Sequence, residues 1–182
     1  DTGKTVAIIG GGPAGLSAAC QLRRKGHGVT LFDDHAELGG MAKYGVPGYR
    51  LPRQHLDGEI NRIIAMGVAV KTNTRIGTDI PLQDIETQFD AVLFAIGCKS
   101  GRSLPVPGSN APNCISGVAF LEAFNQGRLQ SVAGRVVVVG GGDTSVDVVS
   151  VARRLGYVKD MKESERPESV VMGHTAHDVS AM

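Results

Sequence analysis

Residues 6–15 read Val6-Ala7-Ile8-Ile9-Gly10-Gly11-Gly12-Pro13-Ala14-Gly15. Three of the glycines have the G-x-G-x-x-G spacing, between a strand-sized apolar run and a stretch of helical character. In this context Gly10 permits a tight turn, Gly12 lets the backbone approach a pyrophosphate, and Gly15 lets helix and strand pack closely. The N–H groups and the dipole at the start of the helix favour an anion there. The pattern predicts a dinucleotide site, the alternative being an ordinary strand-to-helix turn.

The residues after the second predicted strand support this interpretation. Residues 28–32 have the character of a strand, and Asp33 and Asp34 follow it, about 20 residues after the glycines, where an acid normally accepts hydrogen bonds from a ribose. We assign Asp33 to that ribose. Its carboxylate would repel a 2'-phosphate in a partly buried site. The first site is therefore expected to hold FAD or NAD rather than NADP.

A second turn of the same design begins after another apolar run. The sequence Val136-Val137-Val138-Val139 leads into Gly140-Gly141-Gly142-Asp143-Thr144-Ser145. We predict a strand from Arg135, the glycine turn, and a helix, which together open a second domain. Two dinucleotide sites in one chain indicate electron transfer between two cofactors. A single-cofactor dehydrogenase is disfavoured, because it would not explain the second glycine turn.

The order of the elements predicts an α/β fold with a doubly wound parallel sheet. Residues 1–130 are expected to form the Rossmann-like N-terminal domain, and residues 131–182 the incomplete start of a second Rossmann-like domain. The break is placed around residues 129–134. About 40 residues follow the second turn, too few for a complete βαβαβ half, so we expect the sequence to be a fragment.

Composition excludes several classes of function. The 182 residues carry a formal charge of +1 with scattered Lys and Arg, so there is no basic stripe for nucleic acid. No apolar run approaches the about 18 residues that a membrane span needs. Cys20, Cys98 and Cys114 are isolated and odd in number, which indicates a reducing compartment and no internal metal or dithiol centre. We expect a cytoplasmic protein without a secretory leader.

Other segments have clear patterns. Helices are predicted from Pro13 to Lys25, with a left-handed stop at Gly26, from Pro52 to Gly67, and from Ser116, as cap, to Gly127. Short strands are predicted at residues 68–70 and 72–76, and residues 91–96 are predicted to form a central buried strand. The long loop from Asp34 to Leu51 is expected to be functional. Residues 159–169 are predicted to be a solvated excursion, and His174, His177 and Asp178 to begin a polar helix rather than bind a metal.

The motifs together resemble a known family. They are Glu37-Leu38-Gly39-Gly40-Met41, Tyr44-Gly45-Val46-Pro47, Tyr49-Arg50-Leu51-Pro52, Ala95-Ile96-Gly97 and Gly140-Gly141-Gly142-Asp143-Thr144-Ser145-Val146-Asp147. This combination resembles the small (beta) subunit of glutamate synthase and related flavin-dependent NAD(P)H oxidoreductase subunits. The resemblance implies FAD in the first site, NADPH or NADH in the second, and electrons passed to iron-sulfur clusters. No cluster can be assigned to the present residues, so any cluster is expected outside them.

The resemblance also implies the cofactor-binding residues. Gly10, Gly12, Pro13, Ala14 and Gly15 would contact the FAD pyrophosphate, Asp33 and Asp34 would lie at the ribose, and the remaining FAD contacts would come from Gly39, Gly40, Met41, Arg50, Ala95, Ile96 and Gly97. The second cofactor would be held by Gly140, Gly142, Asp143, Thr144 and Ser145, where Ser145 replaces the more usual Ala. Structural alternatives stay open: a plain turn at residues 39–40, an exposed Arg50, a strand terminus at Gly97, and a helix cap at Asp143.

No side chain is expected to act as a catalyst, because hydride transfer from nicotinamide to flavin needs only stacked rings in a dry site. A larger catalytic or iron-sulfur partner subunit is expected. A disulfide reductase of the thioredoxin reductase type is disfavoured. Such enzymes carry a CxxC pair just before the strand of the second domain, and this stretch of the sequence contains only Cys114. The other alternative is a FAD-binding scaffold of a larger complex without its own NAD(P)H turnover.

Overall fold

The computed structural model describes residues 1–158. The expectations for residues 159–169 and for His174, His177 and Asp178 lie outside the described residues. The described residues divide into two compact units: Asp1–Ala42 with Gln54–Gly97, and Lys43–Arg53 with the described residues from Cys98 onward. The elements in chain order are β1 (Thr5–Ile9), α1 (Pro13–Arg24), β2 (Gly28–Phe32), α2 (Met41–Tyr44), α3 (Arg53–Ala65), β3 (Ala69–Lys71), α4 (Leu82–Gln88), β4 (Ala91–Phe94), α5 (Gly117–Asn125) and α6 (Asp143–Val158).

A four-stranded parallel sheet organises the first unit, in the order β3-β2-β1-β4. Parallel neighbours require crossover connections, and α1 supplies the one between β1 and β2. The apolar run of β1 lies at the centre, with Ala7 and Ile8 fully buried. One face of the sheet packs on α1 and α3 through Ile8, Leu16, Leu31 and Ile60. The predicted parallel α/β architecture is confirmed.

Residues 91–96 were predicted to form a central buried strand, and this is wrong in two respects. The strand β4 ends at Phe94, and it lies at the edge of the sheet because β1 is its one neighbour among the described strands. An edge position leaves apolar side chains uncovered, and Phe94 is 57% exposed. An apolar run alone does not distinguish an edge strand from a central one.

The short strands after α3 are partly confirmed. The first is β3, displaced by one residue from the predicted 68–70. The second, at residues 72–76, is not a strand. Asn73 has a φ of 50°, a left-handed conformation that interrupts an extended chain, and the Arg75 N–H donates to the Asp79 carboxylate at 2.7 Å. The segment therefore bends at Asn73 and takes part only in an isolated bridge, between Ile76 and Ile80.

The predicted helix ends are confirmed. Helix α1 ends at Arg24, and Gly26 follows with a φ of 84°. The Ser116 hydroxyl accepts a hydrogen bond from the Ala119 N–H at 3.2 Å and caps α5. Local signals of this kind depend on neighbouring residues only, so the sequence specifies them well.

In the second unit, α5 packs against α6. Their shared core consists of Phe120, Leu121, Phe124, Val148, Val151 and Leu155. The strand predicted from Arg135 is not formed in the described part of the chain, where Val137 is 80% and Val139 73% exposed. A strand obtains its hydrogen bonds only from a neighbour, and none of the described residues pairs with this segment. The predicted domain break at residue 131 stays a prediction.

An ion pair between residues that directly precede β1 and β4 gives a pH-dependent contribution to the stability of the fold. The Asp90 carboxylate accepts from the Lys4 ammonium at 2.8 Å and from the Thr5 N–H at 2.8 Å. The Lys4 hydrogen bond, followed by the Thr5 N–H, lowers the Asp90 pKa from 3.8 to about 2. Because the folded-state pKa is depressed, the stabilisation is present above the unfolded-state pKa and is lost as the pH falls through the folded-state value.

We therefore expect Asp90→Asn to weaken the protein at neutral pH and to flatten its loss of stability between about pH 4 and pH 2. Urea unfolding midpoints of the variant and of the parent, measured across this range, test the expectation. Glu86→Gln, at an exposed carboxylate on α4, is the matched control. Parallel profiles for Asp90→Asn and the parent would show that the ion pair contributes nothing.

Candidate functional site

The first glycine turn lies where β1 ends and α1 begins. Gly10 has a φ of 110°, and a side chain there would overlap the Ala95 carbonyl oxygen. A side chain at Gly15 would overlap the carbonyl oxygen of Gly10. Both glycines are therefore required by the backbone itself, as the G-x-G-x-x-G interpretation predicts for the tight turn and for close helix packing.

Gly12 differs from these two glycines. Its φ of −76° is open to any residue, and an added Cβ would meet only the Gly40 Cα, at an ordinary 3.7 Å. The fold by itself does not demand glycine at this position. A ligand whose pyrophosphate must approach the backbone would demand it, so the position fits such a ligand.

The start of α1 is prepared for an anion. Its N-cap is Gly12, which offers no side chain to the first N–H groups, and its first turn contains no acidic residue. Pro13, at the first helical position, lacks an N–H, so Ala14 and Gly15 supply the next donors. Arg23 and Arg24 lie in the last turn, and the helix itself carries no acidic side chain at its start that would repel an anion.

Asp33 lies directly after β2 and is bound to this turn. Its Oδ2 accepts from the Gly11 N–H at 2.6 Å and its Oδ1 from the His35 N–H at 2.8 Å, and the residue is 6% exposed. The carboxylate thus fixes the turn against the end of the second strand. Each oxygen can accept more than one hydrogen bond, so contact with a ribose stays compatible with this geometry. Sequence reasoning missed the structural role of Asp33, for which the sequence carries no local signal.

Asp34 and the loop after it complete this side of the turn. The Asp34 carboxylate lies 2.9 Å from the His35 Nδ1. The Gly39 N–H donates to the Gly11 carbonyl oxygen at 2.8 Å, and both Gly39 and Gly40 have positive φ, of 125° and 50°. A Cβ at Gly40 would lie 2.7 Å from the Gly12 Cα. Gly39 and Gly40 therefore form a tight turn, and at this turn the backbone of Gly40 lies close to the backbone of Gly12.

The segment after β4 lies at the same end of the sheet. The Ala95 N–H donates to the Ile9 carbonyl oxygen at 2.8 Å, Ile96 is exposed, and Gly97 has a φ of 64°. Met41 begins α2 and is partly exposed. The structure thus places the predicted FAD residues of the first unit around the carboxyl ends of β1, β2 and β4, where parallel α/β sheets bind ligands.

The second glycine turn repeats the local geometry of the first. Gly140 has a φ of 125°, and the Gly142 carbonyl oxygen accepts from the N–H groups of Ser145 and Val146 at 2.9 and 3.1 Å. A Cβ at Gly140 would lie 2.8 Å from the Ser145 hydroxyl, whereas one at Gly142 would meet nothing within 4 Å. Asp143 and Thr144 begin α6. Unlike α1, this helix carries an acid in its first turn.

Within the second unit, the side chain of Arg50 contacts helix α6. Its guanidinium donates to the two carboxylate oxygens of Asp147 at 2.7 and 2.8 Å, and Asp147 is 6% exposed. These hydrogen bonds and the Asp147 charge raise the Arg50 pKa. The guanidinium of Arg154 lies 3.7 Å from the centre of the Tyr49 ring. No role was predicted for Asp147, whose one signal in the sequence is its spacing of four residues from Asp143.

In the described part of the chain, no helix combines the length and the apolar character that crossing a bilayer requires.

Comparisons with known proteins show the family of the chain. Residues 4–179 match the family model of the pyridine nucleotide-disulphide oxidoreductases. The chain is 45% identical, over 85% of its length, to the NADP(+)-dependent formate dehydrogenase subunit beta of Moorella thermoacetica, and spans 22% of that protein. It is 34% identical, over 86% of its length, to the glutamate synthase [NADPH] small chain of Mycobacterium tuberculosis, and spans 35% of it.

A solved structure shows the same fold. FprA of Mycobacterium tuberculosis, in complex with NADPH, superposes on 82% of the chain with a TM-score of 0.75 and 22% identity, and the chain spans 36% of that protein. The chain thus spans between about a fifth and a third of the length of these relatives. The chain belongs to the pyridine nucleotide-disulphide oxidoreductase family and, as its motifs indicate, is similar to glutamate synthase small chains.

Proposed function

We propose that this chain holds FAD at its first glycine turn, begins a pyridine nucleotide site at its second, and belongs to a flavin-dependent NAD(P)H oxidoreductase. The observation that carries the proposal is the arrangement around Gly12. The start of α1 has no capping side chain, Asp33 holds the turn through the Gly11 N–H, and the Gly40 backbone packs so closely on Gly12 that a side chain on Gly40 would overlap the Gly12 Cα.

The residues present fit FAD. The N–H groups of Gly12, Ala14 and Gly15 would receive the pyrophosphate, and Asp33, with Asp34 beside it, would face the adenosine ribose. Gly10, Pro13, Gly39, Gly40 and Met41 would shape the surrounding backbone, and Ala95, Ile96 and Gly97 would border the cofactor. A carboxylate at the ribose disfavours a 2'-phosphate, which supports FAD rather than NADP in this first site.

At the second turn, Gly140, Gly142, Thr144 and Ser145 would receive the pyrophosphate of NADPH or NADH, with Asp143 beside them. The relatives whose names include NADP(+) and NADPH support a pyridine nucleotide here. FAD, when bound, accepts a hydride and can release its electrons singly. The residues of the chain bind and orient the two cofactors, and we assign none of them a catalytic role.

We also propose that electrons leave the flavin for iron-sulfur clusters outside these residues, in a larger partner subunit or another domain. The names of the relatives, which are a subunit beta and a small chain, support an assembly of several subunits. Cys20, Cys98 and Cys114 are free, which is consistent with a reducing compartment and supports a cytoplasmic location.

Anaerobic addition of NADPH or NADH to the purified flavin-loaded protein tests the function. We expect one of the two to bleach the flavin absorbance, since hydride transfer reduces the isoalloxazine ring. Retained flavin without bleaching by either nucleotide would contradict the oxidoreductase proposal and leave the scaffold alternative. Protein that retains no flavin and cannot be reconstituted with FAD would contradict both.

A substitution at the second turn separates the two sites. Gly142→Ala places a methyl group where nothing lies within 4 Å, so the fold is expected to tolerate it. The methyl group would obstruct the close approach of a pyrophosphate, and we expect about tenfold weaker binding of the pyridine nucleotide. Titration of the nucleotide, followed by the flavin spectrum, measures this change. Equal affinity in the variant and the parent would exclude Gly142 from the site, and the FAD content should not change.

A further inference from the structure

The electrostatics of the second site depend on a residue far away in the sequence. Asp143 and Asp147 lie four residues apart, on the same face of α6 and within its first turns. Two carboxylates near the start of a helix oppose the binding of an anion, because they cancel the positive end of the dipole. Residues 143–150 contain no Lys or Arg to offset them.

Arg50 supplies that positive charge. It contacts both Asp147 oxygens, at 2.7 and 2.8 Å, across a sequence separation of 97 residues. Asp147 is buried, so its charge is poorly screened by water, whereas the Arg50 side chain is half exposed. Asp143 also interacts favourably with the Arg50 charge. The Arg50 guanidinium thus binds Asp147 directly, and the Asp143 charge adds to the rise of the Arg50 pKa.

We propose that Arg50 is a positioning residue for the pyridine nucleotide: it holds Asp147 and offsets the carboxylates of α6, so that the second glycine turn can receive a dinucleotide pyrophosphate. The inference rests on the proposed function of that turn. It replaces the expected contact of Arg50 with the flavin or its phosphates by an action exerted through Asp147.

The alternative is that Arg50 only fastens residues 43–53 to the second unit. That segment has other attachments. The guanidinium of Arg53 donates to the Asn125 side-chain oxygen at 2.9 Å, the Asn125 amide donates to the Tyr44 carbonyl oxygen at 2.8 Å, and Tyr49 stacks on Arg154. The segment is therefore held at both of its ends and beside Arg50 itself, which leaves charge compensation as the distinct contribution of Arg50.

The test compares four variants of the flavin-loaded protein: Arg50→Gln, Arg50→Lys, Asp147→Asn and the double variant Arg50→Gln/Asp147→Asn. Affinities for NADP+ and NAD+ are measured by titration of the flavin spectrum. For the nucleotide that the parent binds, we expect about tenfold weaker binding with Arg50→Gln and a change within about threefold with Arg50→Lys. The double variant should bind within about threefold of the parent, because the acid that Arg50 offsets is gone.

Asp147→Asn separates the two explanations even if Arg50→Gln fails to fold. Charge compensation predicts binding at least as tight as in the parent, since a carboxylate near the anion is removed and Arg50 remains. Fastening predicts weaker binding, because the ion pair is lost. Weaker binding with Asp147→Asn, unchanged binding with Arg50→Gln, or a double variant as weak as Arg50→Gln would each overturn the proposal. A parent protein that binds neither nucleotide would instead overturn the proposed function.

Discussion

Gly12→Ala is expected to leave the first unit folded and to weaken FAD binding about 100-fold, equivalent to about 2.7 kcal/mol. The added methyl group meets only the Gly40 Cα at 3.7 Å, so the polypeptide has room for it. Alanine is a poorer N-cap than glycine, and the stability should fall by no more than about 1 kcal/mol. The pyrophosphate, in contrast, would lose its approach to the backbone at the start of α1.

Flavin content after purification and the FAD affinity of reconstituted apoprotein measure this effect, and urea unfolding of the apoprotein measures the stability. Gly58→Ala is the matched control. It adds the same methyl group in α3, where nothing lies within 4 Å, and should leave FAD binding unchanged. If Gly12→Ala retains FAD as firmly as the parent, the pyrophosphate does not lie at this turn.

Gly15→Ala is expected to have the opposite profile and to destabilise the first unit itself by about 3 kcal/mol, whether or not FAD is present. Helix propensity alone would make alanine more favourable than glycine by about 1 kcal/mol. At Gly15 the overlap of the new Cβ with the Gly10 carbonyl oxygen dominates, because that atom belongs to the backbone and cannot change rotamer. The total stability of a domain is only about 5–15 kcal/mol, so this loss is large.

Thermal or urea unfolding of the apoprotein reveals this difference. Gly58→Ala is again the control. In that variant the higher helix propensity of alanine is not opposed by any overlap of the new Cβ, so the free energy of unfolding should rise slightly. A stable Gly15→Ala apoprotein would show that the helix does not pack on the Gly10 carbonyl. If Gly12→Ala loses the cofactor and Gly15→Ala loses the fold, the two variants separate the binding role of the motif from its structural role.

The sequence predicted those features that depend on neighbouring residues. The strand, turn and helix of residues 5–24, the cap at Ser116 and the glycine stop at Gly26 are confirmed because their signals are local. The position of the first glycine turn at the carboxyl end of β1 follows from the order of alternating strands and helices, which predicts a parallel sheet.

Features that depend on distant partners were not predicted. An apolar run at residues 91–94 does not show whether a strand has one neighbour or two, and four valines before Gly140 do not form a strand without one. The bonds of Asp33 to Gly11 and of Arg50 to Asp147 join residues 22 and 97 positions apart. Such pairs arise from the folded arrangement, and the sequence pattern around either partner does not indicate the other.

The central claim is that the start of α1 receives the pyrophosphate of FAD. A crystal structure of the flavin-loaded protein tests it most directly. We expect pyrophosphate oxygens at about 2.9 Å from the N–H groups of Gly12 or Ala14, and a ribose hydroxyl within hydrogen-bond distance of Asp33. Flavin bound with its pyrophosphate away from residues 10–15 would contradict the account.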